Sequence, residues 1–424
     1  MSIISLRQQV LFTLLLFVLL LLLVPQGGHT GDVGFWQQWA DYILEHRLGD
    51  VYQLPGNNYN PLYHYVLWLY GRLLGTTEKL NHYIHWLKGL TLLFDFAGAF
   101  WAASLVSERS RRFGLVLLLL FNIGYLYDTL LWVQVDAIYT FFAFGAVVLA
   151  VQQRVVGSVL CFVLALAAKT QAVIFLPPLL LLWVPQWWRR PWQLVWSLGA
   201  GAGLATLVLA PFIWWSWENY LPRIIEINAT ASKMYPVLSM YACNIWYLIA
   251  PDQLPYSASD LQPFAGLTYR SWGILWFCAA SAIALLPLLV TLLKGLLRPS
   301  VVAPAPDMAL VLLSCGSIPL LFAFFNTQMH ERYWHAAILF LAAYGFLRRD
   351  YAPYVLVSIA YFLQLEGVLR YLQLLKYGVL LFHPQFIASI FALTILLVFF
   401  NIYRLAPWRR ATAPALATPA PTAS

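Results

Sequence analysis

The stretch "MALVLLSCGSIPLLFAFF", residues 308–325, contains no charged side chain, and runs like it recur from one end of the chain to the other. Hydrocarbon holds no water for backbone N–H and C=O groups, so such a run must satisfy its hydrogen bonds within itself, as a helix. A span takes about 17–25 mostly apolar residues, fewer where neighbours help. Spans are predicted at 10–25, 84–106, 113–128, 137–151, 155–168, 172–184, 193–217, 272–293, 308–325, 334–347, 351–366 and 386–404. Composition agrees: 62% of the 424 residues are hydrophobic and 10% are charged, against roughly 25% charged in soluble domains. The expected fold is an all-α polytopic membrane protein with about 12 transmembrane helices. It is read as one transmembrane domain over 1–408, followed by an Ala/Pro-rich tail at 409–424 expected to be disordered. The tail carries no KDEL-type signal.

The net charge of +8 raises the question of nucleic acid, but its distribution answers to membrane topology instead. Basic residues cluster in "RSRR" at 109–112, at Arg189–Arg190, in "KGLLR" at 294–298, at Arg348–Arg349 and in 404–410, with Arg154 between two spans. These fall in alternate loops, so all can be cytoplasmic together, with both termini inside. The parity holds only if "NPLYHYVLWLYGRLL", residues 60–74, lies flat on the outer surface as an interfacial helix. Residues 34–48 read the same way. The first outer loop, 26–83, is thus a structured layer, and a second long outer loop covers 218–271. The opening run "VLFTLLLFVLLLLLV" lacks an A-x-A cleavage site and reads as an anchor helix rather than a cleaved signal. The four cysteines, Cys161, Cys243, Cys278 and Cys315, form no CxxC or Cys/His pattern and read as packing residues. No Walker A, GxGxxG or HExxH sequence occurs.

With this topology, polar groups distant in sequence share the outer side. Asp32 follows Gly31 after the first span. It admits two readings: a cap for a helix beginning near Val33, and a general base for an acceptor hydroxyl. Asn60-Pro61 starts a helix. "LLWVQVDA" places Trp132, Gln134 and Asp136 at a span boundary, where Asp136 can also cap. "AAKTQA" places Lys169 and Gln171 between apolar runs. Lys169 either snorkels to the surface or receives a phosphate. Finally, "HERY" (330–333) puts two phosphate-oxygen donors, His330 and Arg332, beside Glu331. The alternative is a salt-bridge cluster anchoring a helix end.

In this order and on one side, these motifs resemble the GT-C superfamily of membrane glycosyltransferases. The likeness is to lipid-phosphate-glucose-dependent glucosyltransferases and to bacterial mannosyltransferase-like relatives, and it runs from about Gly31 to about Tyr344. Gly31-Asp32 matches the family's "GD". Tyr59-Asn60-Pro61-Leu62 matches "YPPL", with Asn60 for the first Pro. Trp132, Gln134 and Asp136 match "WGQxD", with Val133 for Gly. Lys169 and Gln171 match "KPQ", with Thr170 for Pro, and His330 to Tyr333 match "HERY" unchanged.

The resemblance implies the GT-C fold and one-step transfer of a hexose from a polyprenyl-phosphate donor to an acceptor hydroxyl on a glycan, lipid or protein. Asp32 would be the base, with inversion at the sugar carbon favoured by analogy with single-base chemistry. His330, Arg332 and Lys169 would take the donor phosphate. Glu331, Tyr333, Asp136, Gln134, Gln171, Tyr59 and Asn60 would support them or bind acceptor. A divalent cation at Asp136 is left open, and no other cofactor is implied. A lipid-linked sugar flippase is the competing expectation; it would need the headgroup site but not Asp32. The expected location is a bacterial plasma membrane with the site on the periplasmic or external side, although "NAT" at 228–230 is a glycosylation sequon. Membrane lipids are the expected surroundings, and no nucleic-acid partner is expected.

Overall fold

A computed structural model describes residues 4–231, 234–250, 255–297, 306–373 and 378–410. The expected tail therefore lies almost wholly outside the described residues. Helix α1 (Leu6–Leu23) starts at a reciprocal cap: the Ser5 side chain accepts from the Gln8 backbone, and Gln8 Oε1 accepts from the Ser5 N–H at 2.9 Å. It buries only Leu16 and rests on α5 through Phe17 and Phe96, so most of its apolar surface faces outward. Then come α2 (Thr30–Glu45), α3 (Pro61–Leu74) and α4 (Thr77–Tyr83). Val33, Trp36, Ala40 and Ile43 of α2 are buried at helical spacing. They meet α3, which starts with Pro61 in its first turn and stops at Gly75, whose φ of 81° suits glycine. Trp36 packs edge-on against Tyr59 and Tyr63, with centroids 4.8 and 4.7 Å away. The 26–83 segment is therefore a helical layer.

Helix α5 (Lys88–Ser104) is followed by α6 (Arg109–Leu120) and α7 (Ile123–Leu130), which meet at a bend of 55°. One continuous span was expected over 113–128. Asn122 explains the break. Its Oδ1 caps α7 by accepting from the Tyr125 N–H at 3.2 Å, while its Nδ2 donates to Tyr354 Oη and Ser358 Oγ at 2.8 and 2.7 Å. Gly124 permits the close approach, because a Cβ there would meet the Ser358 carbonyl at 2.5 Å.

Helices α8 (Asp136–Val151), α9 (Val155–Ala168), α10 (Leu176–Arg189) and α11 (Pro191–Trp214) complete the first half. The second long segment is structured. It holds α12 (Leu221–Thr230), α13 (Trp246–Ile249) and a hairpin pairing Pro263 with Thr268 and Phe264 with Leu267. After it follow α14 (Tyr269–Leu297), α15 (Met308–Phe325), α16 (His335–Arg348), α17 (Ala352–Leu369), α18 (Pro384–Arg404) and α19 (Pro407–Arg410).

Among the described residues seven helices are long and apolar enough to cross a membrane, or eight if the bent pair is one span. This is a multi-span, all-α membrane protein. The expected count of 12 is not reached by length, because 136–151, 155–168 and 335–348 are shorter apolar helices. Burial separates centre from rim: the apolar window of α15 is 83% buried, against 22% in α11. α15 and α16 touch closely at Gly316, where a Cβ would lie 2.7 Å from Phe340 Cβ. The cysteines Cys161, Cys243, Cys278 and Cys315 are free thiols.

Replacing Asn122 with Ala removes the α7 cap and two side-chain hydrogen bonds. Thermal unfolding in detergent should show a loss of about 1–3 kcal/mol. Asn122→Asp, which still caps, should lose less. An unchanged midpoint for Asn122→Ala would contradict this account of the bend.

Candidate functional site

The sequence motifs converge on the Arg332 guanidinium. Its Nη1 donates to Glu331 Oε1 at 2.9 Å and lies 3.5 Å from Asp32 Oδ2, while its Nε lies 3.7 Å from Asp136 Oδ2. Lys169 Nζ holds the other Asp136 oxygen at 2.6 Å. Three carboxylates from α2, α8 and the 326–334 turn thus share two cations. Arg332 has five N–H donors, so these contacts do not exhaust it. Its charge is secure: burial works against it, but Glu331, Asp32, Tyr59 and Asp136 together raise its pKa well above the ordinary value. Burial likewise pushes the Glu331 carboxyl up, but Arg332 and then His330 outweigh it and bring it down to about 2.

Asp32 is not a helix cap. Helix α2 begins at Thr30 with His29 in the capping position, so Asp32 sits inside the first turn. Its Oδ2 accepts from Trp132 Nε1 at 2.8 Å and faces Arg332 and His29 Nδ1, each at 3.5 Å. Among the described residues every one of these contacts falls on Oδ2, leaving Oδ1 for a ligand. The Asp32 side chain is 19% exposed, whereas Asp136 is sealed at 0%. Asp136 is not a cap either: it is the first residue of α8, and no side chain caps that helix. Lys169 does not snorkel; it is held to Asp136 and lies 5.7 Å from the Tyr333 ring centroid.

The turn carrying Trp132 is strained. Val133 has φ of 62°, a rare state for a β-branched residue. It is held by Trp36 Nε1 donating to its carbonyl at 3.0 Å and by Gln134 N–H donating to the Asp128 carbonyl at 3.0 Å. This is the position where the resembled motif has glycine. The other two departures contact each other. Asn60 Nδ2 donates to Thr170 Oγ1 at 3.3 Å, and Asn228 Nδ2 donates to Asn60 Oδ1 at 2.9 Å. Thr170 also bonds Asn228. The sequon asparagine is therefore part of a side-chain network.

The remaining residues spread out from this centre. Tyr59 Oη donates to Gln134 Oε1 at 3.3 Å, and Gln134 Nε2 is buried without a hydrogen-bond partner. Asn60 belongs to the network with Thr170 and Asn228 rather than to the carboxylates. Gln171 buries both amide atoms unpaired, with no contact to the charged centre. The His330 side chain is 18% exposed, 3.7 Å from Glu331 Oε2, with its ring beside Tyr235 and Tyr333. Residues 237–240 strap this turn: Gln328 N–H donates to Val237 O at 3.1 Å and Met240 N–H to Met329 O at 2.9 Å. Buried Asp260 accepts from Thr327 and Gln328 side chains at 2.8 and 2.7 Å and from both arms of Arg270.

Sequence reading passed over His29, although its spacing three residues before Asp32 at a helix start is visible. It also passed over Asp95 and Asp128, whose carboxylates are buried without hydrogen-bond partners beneath the site. His335 Nε2 stands 3.8 Å from Asp95 Oδ1. Acids inside a helical membrane protein are a signal in themselves. As for a divalent cation, Lys169 holds one Asp136 oxygen and Arg332 faces the other. Among the described residues no group of three or more His, Cys, Asp or Glu is arranged to hold a metal ion.

No protein-family model matches the chain, and no curated protein matches it.

The lowered Glu331 value has a stability consequence. A carboxyl depressed on folding stabilises fully above its ordinary value of 4.5, and that contribution is lost as pH falls through about 2. Glu331→Gln should therefore be less stable than wild type near neutral pH, by on the order of 3 kcal/mol. The gap in detergent unfolding should close as pH drops from 4.5 towards 2. A gap independent of pH would contradict the pairing.

Proposed function

We propose that the protein is a GT-C-type hexosyltransferase that uses a polyprenyl-phosphate sugar as donor. The observation that carries this reading is the partly exposed Asp32 carboxylate, contacted on Oδ2 and set 3.5 Å from an arginine that Glu331 and Asp136 also face. A base and a cationic anion-binding group side by side suit attack by a hydroxyl on a sugar carbon that bears a phosphate.

In that reaction the acceptor oxygen bonds to C1 while the C1–O bond to phosphate breaks. The hydroxyl proton passes to Asp32, and the leaving electron pair goes to the phosphate oxygen. Arg332, Lys169 and His330 meet that charge with fixed donors, and preorganised donors at a developing charge are often the largest catalytic contribution. Arg332 still has Nη2 to offer. Glu331 orients Arg332 rather than acting as base, since its pairing keeps it from repelling phosphate. Tyr59 and Gln134 face acceptor or sugar hydroxyls.

The membrane arrangement follows from the same reading. Counting the bent pair as one span, and adding Lys88–Ser104 and the three shorter apolar helices, gives the twelve spans of the expected GT-C fold. An even number places both termini on one side. The basic loops make that side the cytoplasm and put Asp32 on the periplasmic or external face of a bacterial plasma membrane. A donor with its tail in the bilayer would then reach Arg332 with its phosphate.

Asp32→Asn should lower transfer by at least about 10²-fold while radiolabelled polyprenyl-phosphate hexose still binds. Arg332→Ala should instead weaken donor binding and leave acceptor affinity nearly unchanged. Steady-state kinetics with donor and acceptor varied separately, beside equilibrium donor binding, separates the two. Near-normal turnover by Asp32→Asn would remove the base and, with it, this function.

A further inference from the structure

His29 takes no part in the reaction above, yet it is the most open side chain touching the Asp32 carboxylate. It is 49% exposed, against 11% for Arg332. Its place is set from two directions. Its backbone N–H donates to the Trp132 carbonyl at 3.3 Å, and its ring stacks on the Trp132 indole at 5.7 Å. That same indole donates to Asp32 Oδ2. The His29 side chain makes no capping hydrogen bond to α2, so Nδ1 is left facing Oδ2 at 3.5 Å. This is looser than an ideal proton-transfer distance, as apo sites commonly are.

With substrates bound, Oδ1 of Asp32 would face the acceptor, while Trp132 and Arg332 close much of the Oδ2 side. The half-exposed imidazole then remains as the path from the carboxyl group to outer water. We propose that His29 is the proton outlet of Asp32, a relay residue that resets the base after each transfer. This rests on the reading of Asp32 as the base. The acceptor's proton first converts the carboxylate to a carboxylic acid. A half-turn about Cβ–Cγ brings the O–H towards His29, whose neutral Nδ1 takes the proton. The carboxylate is restored and an imidazolium forms. The imidazolium then releases a proton from Nε2 to water, and tautomer exchange through water moves the remaining proton from Nδ1 to Nε2, which frees Nδ1 for the next cycle. No oxidant or further reactant is needed, and proton shuttling is a common role of imidazole. The groups facing the ring are Asp32, with Arg332 behind it, and Trp132.

The test uses the full chain in bilayers, with a radiolabelled polyprenyl-phosphate hexose and an alkyl glycoside acceptor on which wild type turns over. His29→Ala should lose about 10-fold or more in kcat, with both KM values within about two-fold. Added imidazole should restore most of that turnover. His29→Gln, which fills the space but has no basic nitrogen to take up and release a proton, should stay slow. Wild-type turnover by His29→Gln, or no response of His29→Ala to imidazole, would overturn the relay. Asp32→Asn run in parallel separates the two ideas. An inactive Asp32→Asn beside a fully active His29→Ala removes the outlet alone, whereas an active Asp32→Asn removes the base and the outlet together.

Discussion

A guanidinium taken out of water needs counter-charges, and Arg332 finds three. Glu331, Asp32 and Asp136 all stand within 3.7 Å of it. This sharing ties the helical layer of residues 26–83 to the bundle, because Asp32 lies at the start of α2 and Asp136 at the start of α8. Neither carboxylate is used as a helix cap. Lys169, from the end of α9, closes the set. Removing one partner from such a buried group leaves the others uncompensated, so the arrangement stands as a unit. It also sets the partly exposed Asp32 carboxylate beside a cation.

The environment beyond those contacts is built to hold the unit in register. Val133 is kept at positive φ by Trp36 and by the Asp128 carbonyl, and the reward is Trp132, which binds Asp32 and carries the His29 stack. Backbone strain held in place by its surroundings is common at functional sites. The 237–240 strap and Asp260 do the same for the "HERY" turn. Where two prolines stand in the resembled motifs, Asn60 and Thr170 bond each other and Asn228.

Much of this was legible in the sequence. Long apolar runs can only be helices in hydrocarbon, and the charged turns at their ends stood out against 10% charged composition. The helix read in 60–74 is there as Pro61–Leu74. What escaped depends on tertiary geometry. The bend at Asn122 needs Tyr354 and Ser358 to explain it. The strap needs Asp260 to meet Thr327. The close approach of His335 Nε2 to Asp95 Oδ1, 3.8 Å, brings α16 against α5. The cap readings of Asp32 and Asp136 failed because local sequence shows a carboxyl near a helix start but not the indole, guanidinium or ammonium that claims it. Span number escaped for a simpler reason: helices such as 335–348 are too short for length alone to decide.

Under the proposed function this charged centre moves a sugar from a lipid phosphate in one displacement. The most direct measurement supplies the purified, bilayer-reconstituted chain with polyprenyl-phosphate hexoses of known anomeric configuration and an alkyl glycoside acceptor, then reads the product linkage by NMR. A glycoside of inverted configuration, formed on the face of the bilayer that carries residues 326–334, is the expected result. No transfer from any donor, with the lipid-linked sugar moved intact across the bilayer, would contradict it.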